Sequence, residues 1–262
     1  MALSELQVDS AATLLVAALR ALRPRPALPR DCAPSSLADA YAIQDRFVAR
    51  LARPVGYKIG YSNEVVQRAF GISEPVFGRL LEGRVHPSPA RLPSAGFATR
   101  VVETEFGVRM ARALPPRAEP YSLDEVTRSV AAVMPSFEIV DSRFEEWRKL
   151  TPLEAVADNV LHSQWVTGLE RTELAGLDLA EIAVVTRVNG REATRGSGAA
   201  VLGSPYRALH WLANALAQQG RGLGAGEWVT TGSCTAVLEL SPGDVAEADF
   251  GPLGSVRVEF PV

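Results

Sequence analysis

The chain has 262 residues, of which 47% are apolar and 22% charged, so it can bury a substantial core and is neither a disordered segment nor a small disulfide-stapled scaffold. Lys and Arg total 27 against 30 Asp and Glu, a net charge of −3 that offers no basic field for nucleic acid. Cys32 and Cys234 are remote from each other and from any Cys/His cluster, which argues against a zinc site and for a reducing, cytoplasmic setting.

The first apolar run, Ala11 to Leu19, is too short to span a bilayer and has no basic flank before it, so it reads as a core helix. Asp9 or Ser10 is the expected cap and Leu22 the expected end, since Pro24 opens the proline-rich connection that runs to Pro34. Ser36 then caps a second amphipathic helix carrying Leu37, Tyr41, Ile43, Gln44, Phe47 and Val48. In the following VGYKIGYS, Gly56 and Gly60 bracket an extended Tyr57-Lys58-Ile59, where glycine permits close backbone approach. Lys58 either snorkels its ammonium to water or is a cation held for an anionic substrate. A short helix over 63–70 ends at Gly71, and EPVFGRLLEG reads as a turn followed by a strand or loop edge. His86, with no second histidine nearby, reads as structural.

VVETEFGV, from Val101 to Val108, is the acidic strand. Side chains two apart in a strand share a face, so Glu103 and Glu105 project the same way with Cα atoms roughly 6.5–7 Å apart. Ser122 and Glu125 form a capping box for a helix that Pro135 is expected to end. Glu138 follows in MPSFEIVDSR, among Phe137, Ile139 and Val140, where a buried carboxylate needs a partner. Three gathered carboxylates repel by about 4 kcal/mol per pair at 4 Å and an effective dielectric of 20, and a hard divalent cation would offset them. By spacing alone the commoner reading is a solvated strand face for Glu103 and Glu105, with Glu138 paired to Arg143 or another base.

Residues 152–162 read as one further helix, and WVTG as a return to extended structure. Beyond Ala180 the texture is β-rich, with an Asn189-Gly190 hairpin turn, one helix over SPYRALHWLANALAQQG, and strands at EWVTTGS, AVLELSP and SVRVEF. This is an α+β pattern, not an alternating βαβ one. GSGAAVLG lacks the third glycine and the strand–turn–helix setting of a dinucleotide loop, and no P-loop, HExxH or GxSxG motif occurs.

Seven ordered blocks carry a resemblance: GYKIG (56–60), ETE (103–105), FEIVDSR (137–143), ADN (157–159), GAAVLGSP (198–205), WLAN (211–214) and GPLGSVRVEF (251–260). Together they resemble the 2-keto-4-pentenoate hydratase and 4-oxalocrotonate decarboxylase group of the fumarylacetoacetate hydrolase superfamily. The resemblance implies a mixed β-sheet roll with flanking helices over 76–262, a small helical N-terminal part over 1–75, and homo-oligomerisation. It also implies Mg or Mn held by Glu103, Glu105 and Glu138, with Lys58 as the active-site lysine and Ser142 and Asn159 at the substrate. The implied activity is metal-dependent hydration of a 2-hydroxy-2,4-dienoate or 2-oxo-enoate from aromatic catabolism. Decarboxylation of a 4-oxalocrotonate-type acid comes second. An acylpyruvate-type carbon–carbon hydrolase, or a weakened partner subunit associating with a related hydratase or decarboxylase, is the remaining alternative. Two departures stand out: Val76 occupies a position where many hydratases carry an acid, and Val160-Leu161-His162 replaces smaller residues. His162 is therefore a candidate acid/base group, the alternative being a packed or surface histidine.

Overall fold

A computed structural model of the chain describes residues 2–262. Helix α1 (Glu5–Ala21) starts five to six residues earlier than its sequence suggests. Ser4 and Gln7 close a capping box there, while the carboxylate of Asp9 is drawn sideways into ion pairs with Arg46 and Arg50. Helix α2 (Leu37–Val48) is capped by Ser36 as expected. Gln44, a polar break in its apolar stripe, is fully buried and donates to the carbonyls of Phe77 (3.0 Å) and Val156 (2.8 Å). That pair of bonds fixes α2 across the elements that roof the site.

The chain continues through β1 (Pro54–Gly60), α3 (Glu64–Phe70), β2 (Val76–Leu81), β3 (Val85–Pro87), β4 (Ala90–Arg91), β5 (Val101–Met110) and α4 (Leu123–Thr127). It then forms β6 (Val130–Val140), α5 (Pro152–Ala157), β7 (His162–Thr167), β8 (Ala183–Val188), β9 (Arg191–Ser197) and α6 (Pro205–Gln218). The last strands are β10 (Trp228–Ser233), β11 (Leu238–Glu239), β12 (Val245–Asp249) and β13 (Ser255–Glu259). AVLELSP thus supplies only a two-residue strand, and β12 is a strand the periodicity does not announce.

Pro135 does not end a helix. It lies inside β6, opposite Phe106 of β5. Val133 exchanges both backbone hydrogen bonds with Arg171, so Pro135, two residues on, turns the edge that lacks an N–H to the same side, where β7 has ended. Proline is tolerated in a strand where no ladder bond is demanded of it. The helix expected over 152–162 also stops short, at Ala157, and His162 opens β7. The hairpin is as expected: Asn189 and Gly190, both at positive φ, join β8 to β9.

The strands make two sheets. The larger runs β2-β1-β10-β5-β6-β7-β3, with β11 also pairing β5; the smaller runs β4-β13-β12-β8-β9. Both are mixed: β1 with β10, β3 with β7 and β4 with β13 are parallel, and the other pairs antiparallel. The sheets meet over one apolar core, where Phe106 packs edge-on to Phe250 at 5.0 Å and Thr104 hydrogen-bonds Thr186 at 2.9 Å. Because side chains alternate, the face of β5 and β6 that carries Val102, Phe106, Phe137 and Ile139 into this core sends Glu103, Glu105 and Glu138 to the opposite face. A second cluster, from α1, α2, Phe144 and Leu150, packs beyond that face.

Arg143 anchors the junction. Only 2% exposed, it pairs with Asp158 and donates to the carbonyls of Asp141 (2.6 Å) and His162 (3.1 Å). Burial raises the Asp158 carboxyl to about 6 although Arg143 pulls it down. Replacing Arg143 by Met leaves the buried Asp158 without its cation and takes a side-chain donor from the carbonyls of Asp141, His162 and Asp158, and chemical denaturation should show a loss of about 3–5 kcal/mol. A loss under 1 kcal/mol would show that the pair anchors nothing.

Candidate metal centre and cleft

Strand register assembles the acidic cluster. Glu103 of β5 stands directly opposite Glu138 of β6, and Glu105 lies beside Ser136 on one side and Ser233 of β10 on the other. One carboxylate oxygen from each glutamate lies within 4.8 Å of the others, and both Glu105 and Glu138 are fully buried. The solvated-face reading therefore does not hold, nor does a Glu138–Arg143 pair, since Arg143 is committed to Asp158.

Lys58 arrives from β1, which lies parallel to β10 in the same sheet. It does not snorkel: it is 2% exposed, with Nζ 3.1 Å from Glu138 Oε2 and 3.1 Å from the carbonyl oxygen of Val160. That carbonyl is aimed by an unusual turn in which Asn159, Val160 and Leu161 are all left-handed, at φ 54°, 51° and 61°. Such conformations cost on the order of 1–3 kcal/mol each, so the surroundings must impose them. Asn159 is the clamp, accepting from the Arg79 N–H (2.7 Å) and donating to the Arg79 carbonyl (3.0 Å). Gly60 makes room, since a Cβ there would sit 2.5 Å from Val160 Cγ1. Val76 packs with Ala40, Val156 and Val160 behind the turn, so no acid stands there.

Glu105 is held from the far side. Its Oε2 accepts from the Thr230 hydroxyl and, at 2.7 Å, from the Gly232 N–H; Gly232 has φ 101°, which a side chain would disfavour. Its Oε1 is buried with no hydrogen-bond partner among the described residues. Thr230 and Gly232 escape sequence reasoning, their only signal being the polar run TTGS that follows Trp228 and Val229 in β10, and the sequence marks Val160 as a bulky departure without its carbonyl's role.

Electrostatics follow from burial. Burial, with Glu138 and Glu103 as neighbours, pushes Glu105 well above the ordinary carboxylate range, and burial also raises Glu103 against the pull of Lys58. At Glu138 burial is outweighed by Lys58 and His162, which hold it below that range. Burial likewise works against the Lys58 ammonium, but the three carboxylates leave its pKa above the ordinary value. His162 Nδ1 lies 2.9 Å from Glu138 Oε1, and burial lowers its pKa even so, which keeps the ring neutral. With Glu138 ionised, Nδ1 carries the proton and bonds it, leaving Nε2 bare. Nε2 has no partner among the described residues.

When all three are ionised, three carboxylates against one ammonium leave an excess of two negative charges in a largely buried site. Hard oxygen donors, that excess and the unpartnered Glu105 oxygen together fit a divalent cation such as Mg or Mn, which Glu103, Glu105 and Glu138 would hold. A cleft of about 410 Å³ opens on this cluster, with Lys58, Glu103 and Ser233 among its lining, and Tyr61, Val66, Phe70, Trp147 and Val237 farther along it. Burial pushes the Tyr61 phenol up to about 12. His162 is placed behind Glu138, not in the cleft wall. Ser142 and Asn159 do not line the cleft either: Ser142 Oγ accepts from the Phe144 N–H, and Asn159 holds the turn.

A mixed β-roll with a buried three-carboxylate centre beside a lysine defines a class of metal-binding folds. The chain belongs to the fumarylacetoacetate hydrolase C-terminal family, whose model matches residues 84–260. It is 35% identical over 259 residues to 2-keto-4-pentenoate hydratase of Paraburkholderia xenovorans, an alignment covering 97% of this chain and 95% of that one. It is 30% identical over 239 residues to 4-oxalocrotonate decarboxylase of a Pseudomonas species, covering 90% and 89%. The structure superposes on 4-oxalocrotonate decarboxylase from Pseudomonas putida G7, complexed with magnesium and adipate, with a TM-score of 0.91, 30% identity and 98% of both chains covered. Among the described residues no helix is long and apolar enough to cross a membrane.

Proposed function

We propose that the chain is a divalent-metal-dependent hydratase acting on a 2-hydroxy-2,4-dienoate, or the 2-oxo-enoate it ketonises to, such as 2-keto-4-pentenoate. The observation that carries this reading is the buried convergence of Glu103, Glu105 and Glu138 on Lys58 in a chain 35% identical to a hydratase. Mg or Mn held by the glutamates supplies Lewis-acid stabilisation of negative charge on the substrate's oxygens. The chain's own groups do the rest. Lys58 donates to the Val160 carbonyl and lies in ion-pair contact with Glu138, which leaves donor capacity at Nζ for the cleft. There it can hold the substrate carboxylate or pass a proton at Nζ. His162 donates to Glu138 and fixes the carboxylate that fixes Lys58. The apolar wall of Val101, Val140, Leu150 and Val160 keeps bulk water from the diene. Net hydration moves the enol proton to the terminal carbon and adds water across the double bond left between the third and fourth carbons, with the hydroxyl on the fourth and the proton on the third.

Decarboxylation of a 2-oxo-enedioate is the second reading, supported by the close superposition on the decarboxylase. Homo-oligomerisation, a cytoplasmic setting and a place in aromatic-compound breakdown belong to the same proposal and rest on the resemblance. Purified protein with Mg or Mn, supplied with 2-hydroxypenta-2,4-dienoate, should consume the dienol absorbance and form 4-hydroxy-2-oxopentanoate. Carbon dioxide release from 4-oxalocrotonate without that hydration would put the second reading first. Turnover of neither acid would sink both.

A further inference from the structure

The cleft changes character along its length. Its floor holds Lys58, 2% exposed, with Glu103 beside it; its far end holds Val66, Phe70 and Val237, 38%, 39% and 46% exposed, which marks the mouth. Between them stand Val140, Leu150, Ala155 and Leu161. Among the described residues that line the cleft, the cations are Lys58 and Arg148. Lys58 lies at the acidic floor, where it serves the 2-oxo acid head and not the remote end. Arg148 sits over Trp147, 4.3 Å from the ring centroid, and is paired with Glu239, so the described lining of the outer half offers no unpaired cation. A carboxylate entering that half would lose its water and find no partner, whereas an alkyl or aryl tail would bury apolar surface.

Resting on the hydratase reading, we propose that this cleft selects 2-oxo acids whose remote end is apolar and uncharged, with Val66, Phe70, Trp147, Leu150 and Val237 as the tail wall and a distal carboxylate rejected. Phe70 is the central specificity residue. Its ring packs against Tyr61 at a tilt of 54° with centroids 5.2 Å apart, which steadies it at the mouth.

The test is calorimetry on the Mg-loaded protein with three ligands that share a 2-oxo acid head: pyruvate, 2-oxohexanoate and 2-oxoadipate. The last two have the same six-carbon chain and differ in a terminal methyl against a terminal carboxylate. Each buried methylene contributes up to about fourfold in affinity, so 2-oxohexanoate should bind at least about tenfold tighter than pyruvate. It should exceed 2-oxoadipate by at least about as much. Phe70→Ala should shrink the ratio of 2-oxohexanoate to pyruvate affinity, and Arg148→Ala should leave 2-oxoadipate the weaker of the six-carbon pair. Binding of 2-oxoadipate equal to or tighter than 2-oxohexanoate, weakened by Arg148→Ala, would overturn the inference while leaving the 2-oxo acid reading intact. Failure of all three ligands to bind would overturn both.

Discussion

Glu105→Gln should lower Mg or Mn affinity at least about a hundredfold in calorimetry while leaving the far-UV circular dichroism spectrum unchanged. Losing a group that merely supports a ligand costs 10–100-fold, so losing a ligand belongs at or beyond the upper end of that range. The substitution is clean because Gln keeps an acceptor for Thr230 and the Gly232 N–H and fills the same volume. What it removes is one charge and the open oxygen, replaced by an amide nitrogen that cannot coordinate. Turnover should fall by about 10²–10⁴-fold, the equivalent of several kcal/mol of lost charge stabilisation.

The same variant has a pH signature in chelated protein. Glu105 has a folded pKa above its unfolded value, so the folded metal-free chain holds its proton more tightly. That contribution to stability is complete below the unfolded pKa and is lost as pH rises through the raised folded pKa. Metal-free Glu105→Gln lacks this liability. Its melting temperature should equal or exceed that of metal-free wild type, by a margin that widens with pH. Unchanged Mg or Mn affinity in the variant would sink the metal-centre assignment outright.

Lys58→Met separates the two halves of the site. Met keeps an unbranched stem of similar length beside Val160 but carries no charge. In saturating Mg, turnover should fall by about 10²–10⁴-fold, the range for removing a positioned proton-transfer group. Metal affinity should not fall with it. The ammonium repels a divalent ion held by the same glutamates, so deleting it leaves an anionic cluster that binds the ion as tightly or more so. Lys58→Arg should fail to restore activity, since a planar fork cannot replace a compact ammonium pinned between Glu138 and a single carbonyl. Parallel loss of metal binding in Lys58→Met would make the lysine a structural prop, and turnover within threefold of wild type would remove it from the chemistry.

Local chemistry was readable before any fold was in hand. Ser36 at a helix start, Asn189-Gly190 between alternating strands, and the shared face of Glu103 and Glu105 are set by capping geometry, positive-φ preference and the two-residue pleat, which neighbours in the chain fully specify. The ordered blocks added the family and, with it, the ligand set. Pro135 and the end of α5 were misread because each depended on a partner distant in the chain, a β7 that stops short and an Arg79 backbone that captures Asn159, whereas the start of α1 was misread although its Ser4–Gln7 capping box is local.

The sequence by itself thus determined which side chains could serve a divalent ion and on which face of its own strand each would lie. Tertiary structure alone decided that they meet. Glu103 faces Glu138 through a register set across the 19-residue connection between β5 and β6, and Lys58 joins them because β1 enters the sheet parallel to β10. It also gave Arg143 to Asp158, left Glu138 for Lys58 and His162, and set His162 behind the carboxylates. The physical reason is that periodicity records a residue's orientation within its own element. Which elements become neighbours depends on burying whole faces at once, a sum over the chain that no local pattern contains.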